Sequence, residues 1–187
     1  MSCWLLVPPR EMRHEPQHHE QPATSHQQPQ MNAPILTEAA LRDALETERQ
    51  NGKTIAFANG CFDVLHVGHI RYLQDAANVA DVLVVGVNGD DSVRELKGEG
   101  RPVMPANERA ELISAIRGVS YVTIFDEKSP ARLLRELRPD FQAKGTDYSA
   151  DSVPEAEIVK GYGGKVVITG DRKDHSTTAV LEKMRRK

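Results

Sequence analysis

The sequence predicts an α/β fold in which five parallel strands form a doubly wound sheet with helices on both faces. Short β-rich segments alternate with amphipathic helical segments from residue 34 onward, and this alternation is typical of a parallel sheet. Segment 82–87 (VLVVGV) is almost wholly apolar, as expected of a strand that is buried on both sides. Polar and glycine-containing motifs follow the predicted strands directly, at the sheet edge where such Rossmann-like folds bind ligands.

The first helix is predicted to begin after Thr37, whose hydroxyl can accept a hydrogen bond from an unpaired N–H group of the first turn. Leu41 and Leu45 lie about one turn apart and form its apolar face, and Gly52 follows its end. The β-rich run 53–58 then predicts the first strand.

The following elements continue the alternation of helix and strand. A helix at about 66–78 precedes the apolar strand at 82–87, and two helices at about 89–96 and 106–117 come next. The last of these is predicted to turn three apolar side chains inward. They are Leu112, Ile113 and Ile116.

The C-terminal half shows the same pattern. Three strands are predicted, at 121–125, 139–144 and 165–169. Ser129 and Pro130 begin the helix between the first two, since proline is tolerated in the first turn. A helix at 154–161 precedes the last strand, and Ser176 begins the final helix.

Residues 1–33 differ in composition from the remainder of the chain. They contain four of the seven histidines, five prolines and many glutamines. This composition can bury too little apolar surface to offset the chain entropy that folding removes. We therefore expect a disordered N-terminal extension, followed by one folded domain at 34–187.

Composition and charge argue against several classes of protein. The formal net charge of -3 shows no basic excess, so nucleic-acid binding is not expected. Cys3 and Cys61, the two cysteines, lie far apart, which argues against a disulfide framework and favours a reducing compartment. No apolar run approaches the roughly 20 residues that span a membrane, and no signal-peptide pattern opens the sequence. We expect a cytoplasmic protein without membrane contact.

The motif at 59–69 (NGCFDVLHVGH) follows the first predicted strand and leads into a helix. Gly60 and Gly68 allow the backbone to approach a ligand closely, and unpaired N–H groups at a helix start attract anions. His66 and His69 are three residues apart, so both lie on one side of the first turn and can donate hydrogen bonds to phosphate oxygens. The alternative is a turn with two incidental histidines. A P-loop is excluded, because no Gly-Lys-Ser/Thr sequence follows.

A second motif, KGEGRP at 97–102, places two cations beside two glycines. Lys97 and Arg101 could close over a polyanion as part of a mobile loop, although a solvated surface loop would show the same pattern. Arg109, on the next helix, is a further candidate for substrate binding. Its alternative is a surface salt bridge with a neighbouring glutamate.

Three further motifs lie at strand ends or at a helix start. Asn88 and Asp90 follow the second strand and can contact a sugar or nucleotide, although Asp90 can also cap the next helix. Lys144 follows the fourth strand and adds a phosphate-facing charge. Hydroxyl groups at the start of the last helix form either a second anion site or an ordinary N-cap. They belong to Ser176, Thr177 and Thr178.

The first motif resembles the Gly-x-Phe-Asp-x-x-His-x-Gly-His signature of the cytidylyltransferase-like nucleotidylyltransferase superfamily. The resemblance implies that His66 and His69 bind the triphosphate of a nucleotide, and that the backbone near Cys61 and Phe62 faces the phosphates. It also implies in-line attack on the α-phosphorus. The nucleophile is already an anionic oxygen, so positioning and charge stabilisation should dominate catalysis.

The shorter motifs resemble those of one branch, the D-glycero-β-D-manno-heptose 1-phosphate adenylyltransferases. The matching segments occur in order over roughly residues 36–186, and they are KGEGRP, RAE, FDE, LRPD, KGTDY and STT. Thr146 and His175 depart from the pattern. The branch implies transfer of AMP from ATP to the heptose 1-phosphate, which gives ADP-heptose and pyrophosphate for the lipopolysaccharide core precursor.

The resemblance also bears on partners. Mg²⁺ is expected to be carried with ATP, because triphosphate sites usually hold it through substrate phosphates and water, so no protein metal ligand is predicted. The resemblance implies a separate heptose kinase upstream and a homodimer. The alternatives are a cytidylyltransferase acting on glycerol 3-phosphate or another small phosphorylated substrate, and an FAD-synthetase-like adenylyltransferase. A non-catalytic nucleotide-binding module is an alternative of a different class.

Motif chemistry and resemblance together predict the residues of the site. Catalytic roles are predicted for His66, His69 and Lys97. Nucleotide contacts are predicted for Asn59, Gly60, Cys61, Phe62, Gly68, His69, Asn88, Asp90, Lys144, Gly145, Asp147, Ser176, Thr177 and Thr178. Substrate contacts are predicted for Asp63, Lys97, Arg101 and Arg109.

Overall fold

The computed structural model describes residues 32–171, which contain a sheet of five parallel strands. The strands are β1 (Ile55–Gly60), β2 (Val82–Asn88), β3 (Tyr121–Phe125), β4 (Phe141–Gly145) and β5 (Lys165–Thr169). Their order across the sheet is β3-β2-β1-β4-β5. The predicted α/β fold with a five-stranded parallel sheet is confirmed.

Six α-helices and one 3-10 turn connect the strands within this range. The helices are α1 (Glu38–Gln50), α2 (Val67–Ala76), α3 (Asp90–Lys97), α4 (Ala106–Ser114), α5 (Ala131–Leu137) and α6 (Ala156–Gly161), and the 3-10 turn is Ala150–Ser152. As predicted, Thr37 caps α1, because its Oγ1 accepts a hydrogen bond from the backbone N–H of Ala40 at 3.3 Å.

Apolar layers cover both faces of the sheet, and β1 shows how the sequence achieves this. Side chains alternate between the two faces of a strand. Ile55 and Phe57 pack in the layer that contains α1, α5 and α6, whereas Ala56 and Ala58 pack in the layer that contains α2 and α4. Every residue of β2 is buried, which explains its nearly continuous apolar sequence.

The structure corrects several predicted element bounds, for example those of β1 and of α4, which ends at Ser114 and not at residue 117. β1 is Ile55–Gly60 and not 53–58, because its pairing with β2 runs from Ile55 to Gly60 and ladder hydrogen bonds set the ends of a strand. Leu112 is 42% exposed, although it was predicted to face inward. Arg109, Ala110 and Ile113 form the buried face of α4, and Leu112 lies about 100° around the helix from Ile113.

The topology places β1 at the switch point of the sheet. The chain moves from β1 to β2 and β3 on one side, and then returns to β4 and β5 on the other side. Ligands bind beyond the carboxyl ends of strands at such a point. The predicted N-terminal extension, apart from its last two residues, and the predicted final helix lie outside the described residues. Between residues 32 and 171, no helix is long and apolar enough to cross a membrane.

Candidate active site

A cavity of about 750 Å³ lies at the carboxyl ends of the central strands. Fourteen of the predicted site residues line it: Asn59, Gly60, Cys61, Phe62, Asp63, His66, Gly68, His69, Asn88, Lys97, Arg101, Lys144, Gly145 and Asp147. Asp90 and Arg109 are not part of this lining. The predicted residues Ser176, Thr177 and Thr178 lie outside the described residues.

The loop between β1 and α2, here called the motif loop (residues 61–66), carries backbone strain. Phe62 and Val64 have φ angles of 48° and 62°, which β-branched and bulky residues rarely adopt. Such strain persists where the surrounding structure fixes the loop. A Cβ at Gly60 would lie 3.1 Å from the Phe62 ring, so the glycine allows this buried ring to pack over the end of β1.

The two histidine rings lie together at the start of α2. His66 is the N-cap residue, and its ring stacks on that of His69 with 3.9 Å between the centroids and 22° between the planes. The three-residue spacing of the two histidines predicted that both side chains lie on one side of the first turn. The backbone N–H of His66 donates to Nδ1 of His69 at 3.4 Å, so a neutral His69 carries its proton on Nε2. That N–H is a hydrogen-bond donor at an anion-attracting helix start.

Asp63 fastens the motif loop to the loop between α3 and α4. Its buried carboxylate accepts hydrogen bonds at Oδ1 from the backbone N–H groups of Val103 (2.8 Å) and Met104 (3.1 Å). Its Oδ2 lies 2.8 Å from Nε of Arg101. The carboxylate that we predicted to contact the substrate therefore holds the Arg101 side chain at the cavity.

Arg109 lies on α4 but is not part of the cavity lining. The side chain is fully buried, and its guanidinium donates to the carbonyl oxygens of Met104 (2.9 Å), Cys61 (2.5 Å) and Asn88 (2.7 Å). It also pairs with Asp90 at 2.7 Å. Together, Arg109 and Asp90 join the motif loop, the end of β2 and the loop before α4. Their predicted contacts with substrate and nucleotide stay predictions. The pair is buried on its Arg109 side, unlike the surface salt bridge that was the alternative.

Lys144, near the end of β4, presents a buried ammonium group to the cavity. Its Nζ donates to Oδ1 of Asn59 at 2.9 Å and lies 3.4 Å from Oε2 of Glu155. The centroid of the Tyr148 ring lies 5.8 Å from Nζ of Lys144. Burial lowers the pKa of Lys144, and the charge of Glu155 opposes this decrease. A positive group is thus held between β1 and β4, at the switch point.

Positive charge also surrounds Cys61 in the motif loop. Burial raises the pKa of the Cys61 thiol, while the charges of Lys97, Arg109 and Arg101 act in the opposite direction. The thiol therefore remains protonated at neutral pH and is a poor nucleophile. Lys97 and Arg101 both line the cavity, which gives it the positive potential that attracts a polyanion.

Comparison with known proteins agrees with this site. Residues 57–184 match the cytidylyltransferase-like family, and this match contains the motif loop and both histidines. The chain belongs to the cytidylyltransferase-like family. This family member is therefore a nucleotidyltransferase.

Several relatives of this cytidylyltransferase-like chain carry one name. This chain is 43% identical to the bifunctional protein HldE of Syntrophotalea carbinolica over 162 residues. The aligned region covers 87% of this chain and 33% of that protein. This chain is also 46% identical to the bifunctional protein HldE of Pseudomonas paraeruginosa over 144 residues. That aligned region covers 77% of this chain and 30% of that protein. The chain thus spans about a third of the length of the curated relatives it matches.

Solved structures share the fold of this family member. A lipopolysaccharide core biosynthesis protein from Thermoplasma volcanium is 29% identical, with a TM-score of 0.57 over 65% of this chain and 100% of that chain. Pantothenate synthetase from Thermus thermophilus is 16% identical, with a TM-score of 0.58 over 82% of this chain and 70% of that chain. At this lower identity, the second likeness shows the fold alone.

The cavity of this cytidylyltransferase-like chain also contains residues that sequence reasoning missed. Lys128 and Ser129 line it from the loop after β3, and the rule that ligands lie beyond the carboxyl ends of strands could have found them. Glu155 also lines it and is only 5% exposed. In the sequence, Glu155 looks like an ordinary acidic residue in the first turn of a predicted helix, so no local signal distinguishes it.

Proposed function

We propose that this chain transfers AMP from ATP to D-glycero-β-D-manno-heptose 1-phosphate, which gives ADP-heptose and pyrophosphate for the lipopolysaccharide core precursor. One observation carries the reaction class. The stacked His66 and His69 at a helix start share a single cavity with Lys97, Arg101 and Lys144. Hydrogen-bond donors and cations arranged in this way suit a nucleoside triphosphate.

Two observations support the choice of sugar and nucleotide. The chain carries, in order, the short motifs that resemble the heptose 1-phosphate adenylyltransferases. Its relatives named bifunctional protein HldE are 43% to 46% identical over most of this chain, and one structural neighbour is described as a lipopolysaccharide core biosynthesis protein. These names support a sugar phosphate of that pathway as the acceptor.

The proposed reaction is an in-line displacement at phosphorus. An anionic oxygen of the sugar phosphate forms a bond to the α-phosphorus of ATP, and the bond from that phosphorus to the bridging oxygen of the β-phosphate breaks. Pyrophosphate leaves with the bridging oxygen. His66 and His69 donate hydrogen bonds to phosphate oxygens as charge shifts toward the leaving group, and Lys97 and Arg101 offset the charge of the triphosphate.

Mg²⁺ enters this proposal with ATP, bound by phosphate oxygens and water. The two buried acids of the cavity are placed to pair with protein cations and not to bind a metal. Asp63 lies 2.8 Å from Arg101, and Glu155 lies 3.4 Å from Lys144. Each therefore serves as the counter-charge of a protein cation. When bound, the metal would reduce the repulsion between the triphosphate and the incoming sugar phosphate.

The proposal also includes partners, which follow from the resemblance, and a location, which follows from the cysteine content. A heptose kinase must form the sugar 1-phosphate before this step. We propose a homodimer that acts in the cytoplasm, where ATP is supplied and cysteines remain reduced.

Pyrophosphate release across a panel of substrates tests the proposal. ATP and CTP would each be paired with heptose 1-phosphate, glycerol 3-phosphate and flavin mononucleotide, and ATP with heptose 1-phosphate should give the highest kcat/KM. His66→Ala and His69→Ala should each lower kcat about 10²–10³-fold with that pair, the loss expected for one preorganised donor. Gln74→Ala, on α2 but outside the cavity lining, should retain normal turnover.

Each contrary result has a distinct meaning. A higher kcat/KM with CTP and glycerol 3-phosphate, or with ATP and flavin mononucleotide, would replace the proposed substrates. Failure to release pyrophosphate with every pair would favour a non-catalytic binding module. Near-normal turnover in both histidine variants would refute their roles as phosphate donors.

A further inference from the structure

Glu155 is a buried acid in a cavity that otherwise gathers cations and hydrogen-bond donors. Its side chain is 7% exposed, and it lines the cavity directly. A carboxylate at such a place repels phosphate groups and loses hydration, and both effects are unfavourable unless the charge has a partner. Its partners therefore indicate what it does.

Neutral side chains from two parts of the site hold the Glu155 carboxylate. The hydroxyl of Ser129, in the loop after β3, donates to Oε1 at 2.8 Å. The amide of Gln142, in β4, donates to Oε2 at 3.5 Å. These contacts fix the carboxylate from the side of the protein, so its position does not depend on a bound ligand.

The charged partner of Glu155 is Lys144. The ammonium lies 3.4 Å from Oε2 of Glu155, and it donates at 2.9 Å to Oδ1 of Asn59, which belongs to the histidine-containing motif. Burial lowers the pKa of Lys144, and Glu155 is the charged group that raises it again. The acid therefore favours the protonated lysine in a place where burial disfavours it.

Other charged or titratable groups reach the same cavity from the surrounding elements. They are Cys61, Asp63 and His66 in the motif loop, His69 and Tyr72 in α2, Lys97 in α3, Arg101 after α3, Lys128 after β3, Asp147 and Tyr148 after β4, and Asp171 after β5. Lys128 lies 2.7 Å from Glu95, and Asp171 lies 2.6 Å from Arg71. The carboxylate that forms an ion pair with Lys144 within the described residues is Glu155.

We propose that Glu155 is a positioning residue that keeps the Lys144 ammonium charged and fixed beside Asn59. Through Lys144, it helps to hold a polyanionic nucleotide at the switch point between β1 and β4. The nucleotide in this inference rests on the proposed function, whereas the effect of Glu155 on Lys144 does not. The two can therefore be tested separately.

The effect on Lys144 can be measured without any substrate. Protein labelled with ¹³Cε lysine would be titrated by nuclear magnetic resonance, and Lys144→Arg would assign the signal of Lys144. In Glu155→Gln, which can retain the hydrogen bonds with Ser129 and Gln142, the Lys144 signal should titrate at lower pH than in the unmodified chain. Glu157→Gln is the matched control, because Glu157 is an exposed acid that pairs with Lys160 at 3.1 Å. It should leave the Lys144 titration unchanged.

The effect on turnover should depend on pH. The activity of Glu155→Gln relative to that of the unmodified chain should be lower at pH 9 than at pH 7, because loss of a close opposite charge lowers the pH at which Lys144 gives up its proton, by about one unit or more. A merely structural role would lower the rate equally at both pH values. In a Lys144→Arg background, Glu155→Gln should have no pH-dependent effect, because arginine stays charged throughout this range.

Two outcomes would overturn the proposed role of Glu155. Both can be distinguished from failure of the proposed function. The first is an unchanged Lys144 titration in Glu155→Gln. The second is a pH–rate profile of that variant parallel to that of the unmodified chain. If the unmodified chain releases no pyrophosphate with any substrate pair, the proposed function fails, and the lysine titration still decides the role of Glu155.

Discussion

Arg109 shows how one buried side chain can organise a site that it does not line. Its guanidinium binds carbonyl oxygens in the motif loop (Cys61), at the end of β2 (Asn88) and before α4 (Met104). A planar fork of five N–H groups can reach several acceptors in fixed directions. Arg109 thereby sets where the motif loop leaves the sheet, and it supplies a donor to the buried carbonyl group of Asn88.

We predict that Arg109→Lys destabilises the protein. A lysine ammonium cannot reach all of these acceptors, so at least one buried carbonyl should lose its donor, at a cost of about 1–3 kcal/mol in the free energy of unfolding. Urea denaturation followed by circular dichroism would measure the change. Asp90→Asn is the control, because it removes only the ion pair on the partly exposed side.

The same variant separates two roles for Arg109. A structural role lowers the free energy of unfolding and changes KM only as far as the motif loop moves. An unchanged free energy of unfolding with a large increase in KM for the sugar phosphate would contradict this role. That result would instead support the substrate contact of Arg109 that was predicted from the sequence.

At the scale of secondary-structure elements, β2 is placed by close contacts with its neighbours. A Cβ at Gly86 would lie 2.7 Å from Cζ of Phe57 in β1 and 3.2 Å from Cε1 of Phe125 in β3. Both rings belong to the core on the α1 and α5 side of the sheet. Glycine at this position therefore lets two aromatic rings meet over the central strand.

We predict that Gly86→Ala overpacks this core. The added methyl group must displace a buried ring, so the free energy of unfolding should fall by about 1–3 kcal/mol. Thermal and urea denaturation would measure the change. Gly161→Ala is the matched control, because a Cβ there meets nothing within 4 Å and alanine favours the helical conformation. Equal stability of the two variants would contradict this account of β2 packing.

At the scale of the whole molecule, a short segment before α1 belongs to the folded domain. The backbone N–H of Ala33 donates to the carbonyl of Ser114 at 2.9 Å, and that of Leu36 donates to Val122 at 2.8 Å. The N–H of Val122 in turn donates to the carbonyl of Pro34 at 3.0 Å. This segment therefore extends the pairing of the sheet beyond β3.

We predict that two N-terminal truncations differ in stability. A chain that begins at Met31 keeps these three hydrogen bonds and should unfold at the same urea concentration as the full chain. A chain that begins at Thr37 loses them, and its free energy of unfolding should fall by about 3 kcal/mol, at roughly 1 kcal/mol for each bond. Equal stability of the two truncated chains would show that residues 32–36 contribute little.

The order of helices and strands could be predicted because it depends on local periodicity. An apolar run such as 82–87 indicates a strand that is buried on both faces. A single side chain, that of Thr37, indicates where a helix begins. The ends of β1 could not be predicted in this way. They depend on pairing with β2, which lies more than twenty residues away in the chain. The outward position of Leu112 likewise depends on which face of α4 meets the sheet.

The sequence alone determined the fold class and most of the residues around the cavity. This was possible because the motifs follow parallel strands, and the carboxyl ends of such strands meet at one edge of the sheet. Only the tertiary structure decided that Arg109 supports the site from beneath, and that Glu155 pairs with Lys144 inside it. Both roles are set by partners distant in sequence, such as Cys61, which is 48 positions from Arg109. A pattern of neighbouring residues contains no record of such contacts.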